Sequence, residues 1–449
     1  MLPTVQLAEE ITGRVITPED PDYEGARTVF LANFDRRPQL IVRPADAEDV
    51  ARVVALARET GVELAVRNGG HSSAGHGTTD GGIVLDLSEL RSLEIDPDRR
   101  IAWAGAGLTT GAYTAAAAEH GLATGFGDTG SVGLGGITLA GGIGYLVRKH
   151  GLAIDNLLAA EVVTADGEFV RADAEHHPDL FWALRGGGGN FGVVTRFAFR
   201  LHEVSTIVGG MLVLPATPEL VLEFLDAAEA APDELSTIAS VMKAPPMPFL
   251  PAEIHGKHVI LAMMAYAGED GERALAPFRE LATPLADMLQ PMPYRALFPD
   301  EGGDFRRYAA MRTMLTDHFD RDAAKVAVEQ TREATAPMAA VQLRALGGAM
   351  ARVPVDATAF AHRDRRFMVT VAAMYQDPAQ TEQLEAWVTG LAGELDPGDA
   401  GAYAGFLGDE GQERLRAAYP EATYTRLAAV KRQYDPDNVF RLNHNIEPA

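Results

Sequence analysis

The sequence predicts an α+β fold, in which sheets are covered by helices. Three observations carry that prediction. Short strand-like runs punctuated by glycine fill the first two hundred residues. From about residue 205 longer strand-like runs (IVGGMLVLPA, HVILAMMAYAG, AAVQLRALGG, RFMVTVAAMYQ) alternate with amphipathic helices (PELVLEFLDAAEAA, TEQLEAWVTGLAGEL). That pattern reads as an antiparallel sheet with helices on one face. The 449 residues are 47% apolar, enough for sizeable cores and too apolar for a disordered chain.

Taken in order, the first thirty-odd residues read as helical. Residues 40–44, LIVRP, form a short buried strand. A helix follows, with Val50, Val53, Val54 and Ala57 on one 3.6-period face. ELAVRNGG is a strand that breaks at its glycines, and GGIVLDLS and RRIAWAGAG are further strands. Residues 109–121 are a second helix, ended by Gly121. Residues 125–144 hold nine glycines interleaved with Val132, Leu134, Ile137, Leu139 and Ile143. A flexible linker lacks such large apolar residues, so this is a packed turn system. LLAAEVVTADGEFV is a hairpin turning at Asp166-Gly167. DLFWALRGGGGNFGVVTRFAFRL runs from a helix through four glycines into a strand. The helix YTRLAAVKRQY and the segment DPDNVFRLNHNIEP close the chain.

Composition excludes several classes. The net charge is −24, which repels phosphates and argues against nucleic-acid and anionic-membrane partners. No apolar run approaches a membrane span, and no basic-then-apolar leader opens the chain. A cytoplasmic protein, monomeric or homodimeric, is the expectation. There is no cysteine, which rules out disulfides, thiolate metal sites and cofactor links through sulfur. The 12 histidines show no HxH or HExxH spacing, so no metal site is expected.

A backbone approaches a pyrophosphate closely only where side chains are missing and N–H groups point at the oxygens. Two stretches meet that condition: Arg67-Asn68-Gly69-Gly70-His71-Ser72 and residues 127–144. Neither is followed by Gly-Lys-Ser/Thr, so neither is a P-loop. GFGDTG, residues 125–130, matches GxGxxG but follows a helix rather than a strand. His71, flanked by Gly70 and Ser72, is an imidazole able to attack an electrophilic methyl carbon.

RNGGHSSAGHGTTDGGIVLDLSEL, GLGGITLAGGIGYLVRKHGLAIDNLLAAEVVTADGEFV, DLFWALRGGGGNFGVVTRFAFRL and YDPDNVFRLNHNIEP together resemble the FAD-linked oxidases of the vanillyl-alcohol-oxidase superfamily. The berberine-bridge-enzyme-like branch, with its 6-hydroxy-D-nicotine-oxidase-like flavoproteins of bacteria, is the part most resembled. The resemblance implies a helical segment over residues 1–35 packed on a PCMH-type FAD-binding domain over 36–204, itself two α+β subdomains. A substrate domain over 205–405 would follow, and residues 406–449 would return to the FAD domain. It implies FAD linked through its 8α-methyl to His71. Arg67, Asn68, Gly69, Gly70 and Ser72 would wrap the pyrophosphate, with Gly75 and His76 alongside. Asp128, Thr129, Gly130, Ser131, Gly133, Gly135, Gly136, Gly141, Gly142 and Gly144 would line the rest of the cofactor, and Asn443 and Asn445 would close over the flavin. Many relatives add a cysteinyl bond at the position of Thr129. A chain without cysteine cannot make it, so the flavin hangs from one histidine at most.

The resemblance further implies an oxidase that moves a hydride from a small alcohol, sugar, amine or secondary metabolite to flavin N5 and passes electrons to O₂. A dehydrogenase with another acceptor, and a non-catalytic flavin- or ligand-binding protein, stay open. Candidate catalytic residues are Tyr308, Tyr403 and His362, with Arg312, Gln342, Arg344 and Tyr375 in reserve. Arg426 and Lys431 are expected in salt bridges. One departure stands out. Relatives commonly read Tyr-Val-Asn-Phe near the end of the substrate domain, and here the sequence is Tyr403-Ala404-Gly405-Phe406. The missing amide at Gly405 predicts a different substrate preference.

Overall fold

The computed structural model describes residues 4–204, 206–248, 250–298, 307–336 and 338–449. Ser205, the expected start of the substrate domain, lies outside the described residues. The N-terminal segment is not one helical run. Gly13, Pro18 and Pro21 divide it into helix Thr4–Glu10, strand Arg14–Ile16 and helix Tyr23–Ala26. Buried Asp49 anchors it, accepting backbone N–H bonds from Thr12, Gly13 and Ala45. Asp49 belongs to helix Ala47–Thr60, which starts where the Asp46 side chain accepts the Asp49 N–H and stops at Gly61 in the left-handed region. Its buried face is Val50, Val53, Val54 and Ala57, as the periodicity predicts.

The first half of the chain builds two sheets. One orders Arg14–Ile16, Leu40–Arg43, Ile83–Asp86 and Leu64–Arg67, with the last three strands parallel. The other is antiparallel and orders Leu93–Asp96, Ile101–Gly105, Val193–Arg200, Leu157–Val163 and Phe169–Asp173. The Asp166-Gly167 hairpin joins its last two strands. Both sheets share one core, which also takes Leu427, Val430, Phe440 and Ile446 from the C-terminal segment. The chain therefore returns to its first half. Lys431 fixes that return: its buried ammonium donates to Asp435 at 2.6 Å and to the carbonyls of Asn190 and Phe440 at 2.9 and 3.0 Å.

The second half is an eight-stranded antiparallel sheet. Strand alternation divides its faces. Val341, Leu343 and Ala345 of strand Met338–Ala345 pack in a core with helices Pro218–Ala230, Gly271–Glu280, Arg321–Glu333 and Thr381–Leu395. Arg344 points the other way, to the glycine loops of the first half, where it meets Asp128 at 2.5 Å. Among the described residues, no helix is long and apolar enough to cross a membrane.

Candidate active site

The two glycine loops cross each other. A Cβ on Gly133 would lie 2.2 Å from the Gly69 nitrogen, and one on Gly69 would lie 2.4 Å from the Gly133 nitrogen. Only glycine at both positions allows that crossing. Asn68 locks it, donating from Nδ2 to the Ala106 carbonyl and filling the space beside Gly135. Beside the crossing opens a cavity of about 890 Å³, closed on its far side by strand Tyr308–Thr316 and by residues 403–407. That is near the top of the ~300–1,000 Å³ typical of small-molecule sites.

Arg67, Asn68, Gly69, Gly70, His71, Ser72, His76, Asp128, Thr129, Ser131, Gly133, Gly135, Gly136, Tyr403 and Asn443 all line this cavity. His71 stacks on Phe30, with ring centroids 4.0 Å apart. The Arg67 guanidinium donates from Nη2 to Asp86 at 3.0 Å and to the Ala26 carbonyl at 2.5 Å, and its buried Nη1 has no protein partner. Burial pushes His76 down to about 3, helped by the His444 ring 4.9 Å away, and lowers His444 as well. Both imidazoles are neutral at pH 7. Burial pushes Tyr403 up to about 12, against the Gly142 N–H that donates to its hydroxyl at 3.0 Å. Tyr403 is therefore a neutral phenol, a hydrogen-bond donor rather than a base.

The structure does not bring the other expected residues to the cavity. Tyr308 begins its strand on the face that packs toward the helices and stacks on Tyr375, while its neighbours Arg307 and Ala309 face the cavity. One residue of register separates the two faces. His362 is buried against the Ala417 carbonyl at 2.7 Å and is a structural histidine. Gly75 makes room for the Phe34 ring, Gly130 approaches Phe298 and Gly111, and Gly144 lies against Gly127. Gly141 lies against Phe360 and Tyr403, and Gly142 against Ala153 and Phe126. These glycines serve the packing of the turn. Asn445 is not among the residues lining the cavity, and its buried Oδ1 has no protein partner. Arg312 pairs with Glu410 at 3.5 Å, and Arg426 pairs with Asp179 at 3.2 Å.

Comparison with known proteins places this geometry. The model of an FAD binding domain matches residues 38–173, and that of a berberine and berberine like segment matches 402–447. The chain is 31% identical to (R)-6-hydroxynicotine oxidase of Paenarthrobacter nicotinovorans, over 98% of this chain and 97% of the relative. The chain belongs to the berberine-bridge-like FAD-linked oxidoreductases. The structure of 6-hydroxy-D-nicotine oxidase from Arthrobacter nicotinovorans matches with a TM-score of 0.88 at 29% identity, over 98% of each chain. Xylooligosaccharide oxidase from Myceliophthora thermophila, in complex with xylobiose, matches with a TM-score of 0.86 at 25% identity, over 99% of each chain.

The residues of this FAD-linked oxidoreductase fit the cofactor. A Cβ on Gly136 or Gly189, both on the cavity wall, would meet nothing within 4 Å, so the backbone there is open to a ligand. Asn443 donates from Nδ2 to the Phe440 and Gly189 carbonyls and keeps a buried Oδ1 with no protein partner, an acceptor suited to the N–H of a flavin edge. With no cysteine, a second bond through sulfur is excluded. Sequence reasoning missed part of the wall: Val29, Phe30, Leu31, Gly188, Asn190, Met311, Met374, Tyr419 and His444. The RGGGGN run was a usable signal for Gly188 and Asn190, but the segment around Phe30 carries no motif.

Proposed function

We propose that this FAD-linked oxidoreductase is an oxidase whose flavin is held by a single bond to His71. It would oxidise a small alcohol, sugar, amine or secondary metabolite bound between the flavin and the wall made by Met311, Met374 and Tyr403. The observation that carries the reading is that His71 and Tyr403 line one cavity from opposite halves of the molecule. FAD bound there supplies a two-electron acceptor that O₂ can regenerate. Backbone N–H groups of the crossed loops would hold the pyrophosphate, with the unpartnered Arg67 Nη1 as a charged donor on the same wall, since the cavity-lining histidines 76 and 444 are neutral. His71 would supply the ring nitrogen of the link. Forming the link would cost His71 its N–H proton and the cofactor methyl a second proton, with two electrons passed on to O₂. Phe30 holds the imidazole plane by stacking. Tyr403 would donate its hydroxyl proton as a hydrogen bond to the substrate heteroatom, its oxygen being held by Gly142. Residues 36–204 with 406–449 act as the cofactor unit, and 205–405 supply the substrate wall.

Anaerobic bleaching of the purified yellow protein by a substrate panel, followed by oxygen uptake and peroxide assay, tests this reading. Peroxide equal to substrate consumed is expected. Bleaching with no reoxidation by air would make the protein a dehydrogenase. Tyr403→Phe is expected to lower kcat/KM by about tenfold, the worth of one hydrogen bond.

A further inference from the structure

One ion pair joins the large sheet to a glycine loop at the edge of the cavity. Arg344 rises from strand Met338–Ala345 and is buried. Its Nη2 donates to the Asp128 carboxylate at 2.5 Å, and Nη2 and Nε donate to the Gln342 amide oxygen at 2.7 and 3.0 Å. Asp128 lines the cavity on the loop side and also accepts the Thr129 hydroxyl at 3.1 Å. The Thr129 carbonyl in turn accepts the Thr110 hydroxyl at 2.7 Å, at the start of helix Thr110–Ala118. The pair stands beside Tyr403. The Arg344 guanidinium lies over the Phe406 ring at 5.7 Å, and Phe406 packs on Tyr403 with ring centroids 5.3 Å apart. Burial raises the Tyr403 phenol, the Gly142 N–H and Arg344 lower it, and Asp128 raises it. Both charges therefore reach the hydroxyl assigned above to the substrate.

A buried ion pair stabilises a fold little better than packed apolar residues would. Stability alone therefore gives no reason for these two charges. We infer that Asp128 and Arg344 are a positioning pair that sets the reduction potential of the flavin. The carboxylate opposes reduction of the ring, the guanidinium favours it, and the bond between them keeps the two in balance. The inference rests on the reading above that the flavin reacts in this cavity. Two-electron reduction places negative charge on the flavin ring, so fixed charges beside it shift its potential. In a low-dielectric site the field of one unpaired charge reaches across the cavity, whereas the fields of two opposite charges 2.5 Å apart largely cancel. Neither residue exchanges a proton or an electron with the substrate. Their effect is on how readily the ring accepts electrons from it.

Midpoint potentials of the flavin-loaded parent, Asp128→Asn, Arg344→Gln and the double variant test this, read at pH 7 by anaerobic reductive titration against a reference dye. Asp128→Asn removes a negative charge. It is expected to raise the reduced-to-oxidised ratio at a fixed potential by about tenfold, an upward shift of about 30 mV for a two-electron couple. Arg344→Gln removes a positive charge and is expected to shift the potential downward by a similar amount. The double variant is expected to lie between the two. Shifts of the same sign in both single variants would mark a disturbed loop rather than a charge balance, and they overturn the inference, as do two unchanged potentials. Where Arg344→Gln loses flavin, Arg344→Lys takes its place. It keeps the charge and is expected to hold the parent's potential while Asp128→Asn still raises it. A lysine variant that shifts as far as Asp128→Asn overturns the inference. A purified parent without flavin instead defeats the reading above and the inference with it, whereas unmoved potentials in flavin-loaded variants leave that reading standing.

Discussion

Replacing Gly133 by alanine tests whether the loop crossing organises the site. The new methyl carbon would sit 2.2 Å from the Gly69 nitrogen and 2.5 Å from the Asn68 Cβ. Unstrained carbon contacts begin near ~3.5 Å, so the loops must part by about 1 Å. Overpacking against side chains costs about 1–3 kcal/mol, and here the first atom met is backbone, which places the cost near about 3 kcal/mol. The displaced loop carries His71, so flavin content should fall with stability. Gly136→Ala is the control. Its methyl meets no protein atom, and alanine in helix Leu134–Ala140 should stabilise the flavin-free fold by about 0.5–1 kcal/mol. It still projects where the cofactor would lie, so flavin binding should weaken. Urea unfolding followed by circular dichroism, with the flavin-to-protein absorbance ratio, reads both quantities. A Gly133→Ala protein with the parent's urea midpoint and flavin content would refute the reasoning.

Three other outcomes follow from the same structure. Lys431→Met leaves Asp435 buried without its cation and should cost about 3–5 kcal/mol in urea unfolding, partly recovered by adding Asp435→Asn. Phe30→Ala should lower the fraction of flavin that survives denaturation bound to protein, and Phe30→Trp should restore it, both read by flavin fluorescence on a denaturing gel. Burial pushes His150 down to about 3 and His202 to about 4, from an ordinary value near 6.5. Between pH 6.5 and 4 the unfolded chain therefore binds protons that the folded chain refuses, so stability is full above 6.5 and falls as pH falls. The urea midpoint should drop from pH 7.5 to pH 5, and less steeply in His150→Gln.

The sequence carried local information well where period or turn chemistry was strong. Helix Ala47–Thr60, the Asp166-Gly167 hairpin and the strands that frame it sit where the pattern puts them. Strand Leu235–Lys243 mixes serine and threonine with apolar residues and gives no alternation to read, although it is buried at the centre of the sheet. Helices Gly271–Glu280 and Arg321–Glu333 carry narrow apolar stripes, Ala274, Leu275 and Phe278 on the first and Ala324, Ala327 and Val328 on the second. The glycine-rich composition marked both loops, but it could not tell a glycine facing the cavity from one facing the protein. Gly136 and Gly142 look alike in sequence, yet only Gly136 opens onto the site. Tyr308 shows the limit for strands, where one residue of register decides between core and site. Phe30 is joined to the site by its stacking on His71 across a long stretch of chain, which no local pattern encodes. The departure at Gly405 takes a physical meaning: a Cβ there would fall 2.6 Å from the Tyr403 ring, so that ring occupies the space a larger residue would need.

Mass spectrometry of the purified, denatured and protease-digested protein tests the central claim most directly. One FAD, less two hydrogens, is expected on the peptide that contains His71, and its loss is expected in His71→Ala. Unmodified His71 in protein that carries flavin before denaturation, or an adduct on any other residue, would contradict it.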